Sequence, residues 1–244
     1  MKNVQGASAA PGMPYWTKYL LAWVASIKHP RVPMSHNTSN RPRRIPAEPR
    51  WQPGERFTSG QLPAGCRNWL LDDGSLTGRL IELDLGEFSV RRLYQGWQVP
   101  LPSERRLLDI PCRQQAIVRE VSLHLGGEAV VFARSVMPIS SLTGKLAHLR
   151  RLQNKPLGAI LFNHPGMQRS PFELARIHGH SCYLPGHLHQ GGPAWGRRSR
   201  FAIDGKGILV SEVFLENFQP WPAILPVHRT QRGKVSAAIV RHKQ

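Results

Sequence analysis

"AIVREVSLHL", residues 116–125, is followed by Gly126-Gly127 and then by "EAVVFARSVM", residues 128–137. Each flanking run alternates apolar and polar residues, and a Gly-Gly pair suits the positive φ angles of a two-residue hairpin turn. The stretch therefore reads as an antiparallel β-hairpin. A second pair of alternating runs, "RSRFAI" and "ILVSEVFL", flanks "DGKG" at residues 204–207 and reads the same way. Between the hairpins, "SSLTGKLAHLRRLQ", "KPLGAILF" and "SPFELARI" have helical patterns. The last carries Ser170 as a cap and Pro171 at the first helical position. Ahead of the first hairpin, "CRNWLLDD" and "SLTGRLIEL" read as short helices, the second capped by Ser75, and "EFSVRRLYQGW" as a strand. Hairpins with helices between them indicate an α+β fold, an antiparallel β-sheet with flanking helices.

Both hairpins place charge on an apolar face. Arg119 alternates with Ile117, Val121 and Leu123; Arg134 alternates with Val130, Phe132 and Val136; Glu212 alternates with Ile208, Val210 and Phe214. If Gly126-Gly127 is a plain two-residue turn, Arg119 faces Arg134 directly across the ladder. Like charges opposed on a core face destabilise a sheet, so something negative must answer them. Glu212 is one carboxylate for two guanidiniums. An anionic ligand is the natural further partner, because the guanidinium fork binds a carboxylate in bidentate fashion. An internal Arg–Glu–Arg network serving packing alone is the other reading.

The chain has 244 residues, 41% of them hydrophobic, enough for a substantial core. Its formal charge of +18 is concentrated at the ends: residues 1–50 carry +7, residues 221–244 carry +5, and the middle only +6. Basic, Pro-rich or polar ends of this kind read as solvated tails. At most they imply weak contact with an anionic membrane surface, and no specific nucleic acid. Three cysteines suit a reducing compartment and hence a cytoplasmic location. Residues 1–62 read as a flexible basic lead-in, 63–218 as the folded domain and 219–244 as a basic tail. Met34 opens an ordinary polar N-terminus, so residues 1–33 read as an over-extended start; the apolar run Tyr15–Ile27 within them could lie at a membrane interface.

As a set, "REVSLHLGGEAVVFARSVMPISSLTG", "NKPLGAILF", "WGRRSRF" and "LVSEVFL" resemble the chorismate pyruvate-lyase family of bacterial ubiquinone biosynthesis. The resemblance runs in order from about Trp69 to Leu215. It implies a chorismate-lyase-like antiparallel sheet with an enclosed site and no cofactor. The implied reaction takes chorismate to 4-hydroxybenzoate and pyruvate. The family's ligand-contacting residues fall on Arg119, Arg134, Leu157 and Glu212, and on Leu76, where the family usually has Met. Arg197, Arg198 and Arg200 read instead as braces for acidic neighbours or the surface.

Two other functions compete. Folds of this kind also serve as effector-binding domains of transcription regulators, which would bind a small carboxylate without turnover. Residues 1–62 hold too many prolines for the helix-turn-helix such proteins carry. The His-rich insert, residues 178–194, carries His178, His180, Cys182, His187 and His189, all potential zinc ligands. Their spacing matches no standard site, and the Gly/Pro-rich context reads as a solvated loop outside the family pattern.

Overall fold

The computed structural model describes residues 48–225, except 59, 64 and 224. The expectations for residues 1–47 and 226–244 lie outside the described residues. Eight strands form one antiparallel sheet: β1 (Gln52–Pro53), β2 (Phe88–Gln98), β3 (Ala116–Leu125), β4 (Glu128–Pro138), β5 (Gln168–Arg169), β6 (Glu173–Ile177), β7 (Ala194–Ile203) and β8 (Lys206–Phe214). Their order is β1-β6-β7-β8-β4-β3-β2, with β5 also on β7. The short helices are α1 (Cys66–Leu70), α2 (Leu76–Glu82), α3 (Pro102–Leu107) and α4 (Leu157–Phe162). The α+β class follows directly. Among the described residues no helix is long and apolar enough to cross a membrane.

Both hairpins form where the alternation places them. Gly126 and Gly127 have φ of 56° and 90°, and Asp204 and Gly205 have φ of 50° and 76°. Each pair is a two-residue turn with both central residues left-handed, the geometry whose twist matches the flanking strands. The first ladder, however, is bulged. Leu125 pairs with Glu128 and His124 with Ala129, but Leu123 pairs with Val131, so Val130 is an extra residue. From there the register is shifted by one. Arg119 faces Ser135, and Glu120 faces Arg134. The expected opposition of Arg119 and Arg134 is therefore corrected: a one-residue slip moves a strand's side chains to the other face.

Two helical expectations also change. "SPFELARI" forms strand β6, pairing β1 on one side and β7 on the other. So short a segment gains little as a helix alone. As a strand it buries Leu174, Ala175 and Ile177, while the Ser170 hydroxyl accepts the Arg200 N–H. "SSLTGKLAHLRRLQ" forms a 3₁₀-helix over Gly144–Arg151. Its buried leucines, 146, 149 and 152, recur every three residues, the 3₁₀ period.

Each face of the sheet has its own core. On the first, Val121, Leu123, Val131, Ala133 and Phe214 pack with Trp69, Leu70, Leu76 and Leu80 from α1 and α2. Ile117, Met137, Phe201 and Ile208 continue this face beneath Leu149, Leu157 and Leu161. On the second, Phe132, Val213 and Leu215 meet Leu101, Tyr183 and Leu184. Ordered structure extends beyond 63–218 at both ends. Gln52 and Pro53 pair with β6, and Trp221 packs on Phe214 and Phe218.

The His-rich segment is a cover for the second face. Tyr183 and Leu184 are buried, whereas His178, His180, Cys182, His187 and His189 are exposed. Gly179 admits the close approach of the chain, since a Cβ there would lie 2.1 Å from the Gln190 carbonyl oxygen. Among the described residues no group of three His, Cys, Asp or Glu could hold a metal ion. Changing those four histidines and Cys182 together to Ser should leave the melting temperature within a few degrees, because exposed substitutions usually cost within about 0.5 kcal/mol. A collapse of thermal stability in that variant would show that the exposed rings hold the segment in place.

Candidate active site

A cavity of about 40 Å³ lies between the first face of the sheet and the N-terminal ends of α2 and α4. The sheet contributes Val90, Arg119, Val121, Leu123, Ala133, Ser135, Phe201, Val210 and Glu212. Above them, Ser75, Leu76 and Thr77 come from the start of α2, and Pro156, Leu157 and Gly158 from the start of α4. Ser75 fixes the first of these ends, its hydroxyl accepting the Gly78 N–H. Leu76, Arg119, Leu157 and Glu212 thus come together, as their sequence positions suggest. Arg134 does not join them.

Arg119 is 2% exposed. Its Nη2 donates to the carbonyls of Gln153 and Lys155 at 2.9 and 2.8 Å, in the loop that leads to Leu157. Its Nε is buried with no partner, and it forms no ion pair among the described residues. Burial, and then the charge of Arg92, lower its pKa to about 10. It remains a cation at neutral pH, held at a cost. Keeping it charged against that downward shift costs the fold roughly 3 kcal/mol. The sign follows from the depressed pKa of a base: the cost is present below pH 10 and fades as pH rises through it. An anion in the cavity offsets that cost.

Glu212 lines the same cavity, but its partner is Arg197. Arg197 Nε donates to Glu212 Oε2 at 2.6 Å. Arg197 Nη1 also donates to the carbonyls of Trp69 and Asp72, so one buried side chain fixes the carboxylate and anchors the α1–α2 connection. Arg197 does brace an acidic neighbour, as expected, and that neighbour is the site carboxylate. The sequence carried a signal for this. Counting outward from Asp204-Gly205 pairs residue 197 with 212, and the ladder has that register.

Arg134 lies on the opposite face, saturated by carboxylates. Its Nε and Nη2 donate to Glu104 at 2.7 and 3.1 Å, and its Nη1 donates to Glu120 at 2.6 Å. Burial works to lower its pKa, but the hydrogen bonds and charge of Glu104, with Glu120, outweigh it and hold the value above the usual range. Arg134 thus sits in an internal Arg–Glu network, whereas Arg119 has no carboxylate partner among the described residues.

A small, mostly apolar cavity on one face of an antiparallel sheet therefore holds one cation without a carboxylate partner among the described residues and one positioned carboxylate. The family model described as chorismate lyase matches residues 45–222, spanning the His-rich segment, and the chain belongs to that family. It is a lyase. It is 38% identical over 168 residues to a probable chorismate pyruvate-lyase of Halorhodospira halophila, covering 67% of this chain and 88% of that one. It is 39% identical over 181 residues to probable chorismate pyruvate-lyase 2 of Pseudomonas fluorescens, covering 72% and 93%. Among solved structures, the effector domain of PhnF from Mycobacterium smegmatis is similar at a TM-score of 0.45 and 12% identity, covering 60% of this chain and 91% of that one.

Proposed function

We propose that the chain is a chorismate pyruvate-lyase, converting chorismate to 4-hydroxybenzoate and pyruvate in the cytoplasm as the first step of ubiquinone biosynthesis. The observation that carries this reading is the unpaired Arg119 guanidinium in the same cavity as Glu212. In this reading Arg119 binds a substrate carboxylate. Glu212, held by Arg197, accepts a hydrogen bond from the ring hydroxyl or takes up a ring proton. Leu76 and Leu157 form apolar walls around the ring. The ether C–O bond breaks and its electron pair leaves with the enolpyruvyl oxygen. The ring carbon bearing the hydroxyl gives up its proton, and protonation of the enolpyruvate carbon yields pyruvate. Aromatisation supplies the driving force. The protein's share is orientation, and electrostatic stabilisation in a site from which water is largely excluded.

No step needs a Lewis acid, so protein treated with EDTA should release pyruvate and 4-hydroxybenzoate from chorismate in equal amounts. Binding of 4-hydroxybenzoate with no pyruvate release would make the cavity a binding site without turnover. Activity restored only by a divalent metal would refute the charge-and-orientation mechanism.

A further inference from the structure

A second cation stands beside the cavity, and sequence patterning does not mark it. Arg169, on β5, lies opposite Phe201 in the ladder. Its guanidinium stacks over Phe172, Phe201 and Phe162, at 4.1, 4.8 and 5.6 Å from the ring centroids. Phe162 and Phe201 both line the cavity, so Arg169 backs its aromatic wall. Its Nε donates to Ser199 Oγ at 2.7 Å. Its Nη1 donates to the carbonyls of Asp73 and Gly74, at 3.2 and 3.5 Å. The next three residues, Ser75, Leu76 and Thr77, line the cavity.

The neighbouring charges leave Arg169 uncompensated. Asp72 is taken by Arg79, and Glu212 by Arg197. Arg169 makes no ion pair among the described residues. Burial and the charge of Arg197 lower its pKa to about 9, against opposing pulls from Glu212, Asp72 and Asp73. Two guanidiniums without carboxylate partners therefore flank one small cavity, Arg119 in its lining and Arg169 behind its rings. Aromatic faces stabilise a cation, but they do not neutralise it.

We propose that Arg169 is a positioning residue of this site. It pins the Asp73–Gly74 turn, so that Ser75–Thr77 close one end of the cavity, and it supplies the second positive charge that a dicarboxylate substrate requires. Arg suits both tasks because its planar fork stacks on rings and donates in several directions at once, which a lysine ammonium does not do. The proposal rests on the lyase reading for its substrate, but its structural half can be tested without it.

The test compares wild-type protein with Arg169→Met and Arg169→Lys, full chain, by pyruvate release and by amide hydrogen exchange. Arg169→Met should raise KM for chorismate about tenfold or more while kcat changes only a few-fold, the pattern of a lost ground-state contribution to binding. Exchange in peptides covering residues 66–82 should quicken, with the strands β3, β4 and β8 unchanged. Arg169→Lys keeps the charge without the fork. It should recover much of KM and leave exchange in 66–82 fast. KM within twofold of wild type in Arg169→Met would overturn the charge role. Unchanged exchange in 66–82, or quickened exchange across the whole sheet, would overturn the positioning role. If wild type itself releases no pyruvate, the lyase reading falls. Exchange still decides the positioning role, and the melting shift induced by chorismate, expected in wild type and lost in Arg169→Met, decides the charge role.

Discussion

Arg119→Met should lower kcat/KM for chorismate by about 10²–10³, the scale of removing one preorganised charge-stabilising donor, and leave ligand-free stability almost unchanged. The two halves have one cause. In the empty protein the guanidinium is buried with an unpartnered Nε, and its depressed pKa records what that burial costs. Methionine removes that cost and fills similar space. It also removes the two hydrogen bonds to the carbonyls of Gln153 and Lys155, and the effects offset. The melting temperature should therefore shift by only a few degrees, in either direction. Ligand response should change far more. Benzoate should stabilise wild type, since it binds only the folded state, and should fail to stabilise the variant. In wild type that benzoate response should fade as pH rises through about 10, where the Arg119 cation is lost. A large loss of ligand-free stability, with kcat/KM near normal, would make Arg119 a structural residue.

What the sequence makes legible is local. The strand and turn assignments follow from alternation and from Gly126-Gly127 and Asp204-Gly205, and the ladders confirm them. Alternation also identifies which side chains point inward, and Arg119, Arg134 and Glu212 all do lie within the protein. It cannot say which face is meant when both faces of a sheet are covered. Val130 decided that here: one extra residue beside the turn sends Arg134 to Glu104 and leaves Arg119 in the cavity. Nothing in "HLGGEAVV" announces a bulge, because Val130 is as good a strand residue as its neighbours. The ten- and nine-residue strands of the second hairpin needed no such correction, and there a register count pairs Arg197 with Glu212. Arg169 was invisible for another reason. Its strand has two residues, and its three aromatic partners come from α4, the β5–β6 connection and β7, far apart in any periodic pattern.

Glu104→Ala should be the most destabilising of the charge variants, by about 3–5 kcal/mol, the cost of removing one partner from a buried ion pair. Glu104 is 1% exposed and does two jobs. It takes both Nε and Nη2 of Arg134, and its Oε2 also accepts the Leu101 N–H at the start of α3. Alanine leaves the Arg134 guanidinium buried with only Glu120, which is itself partly exposed. For a domain of this size the melting temperature should fall by roughly 2–4 °C per kcal/mol, on the order of 10 °C in all. Arg134→Met in the same background should recover much of that loss. Removing both charges leaves only Glu120 without its partner, and Glu120 is partly exposed to water; buried pairs replaced by apolar residues of similar volume are often neutral or better. Neither change touches the cavity, so KM for chorismate should stay within a few-fold of wild type in the double variant, measured well below its melting point. A double variant as unstable as Glu104→Ala alone would place the cost in the lost cap of α3. A tenfold rise in KM would return Arg134 to the substrate, as the resemblance of its motif alone implied.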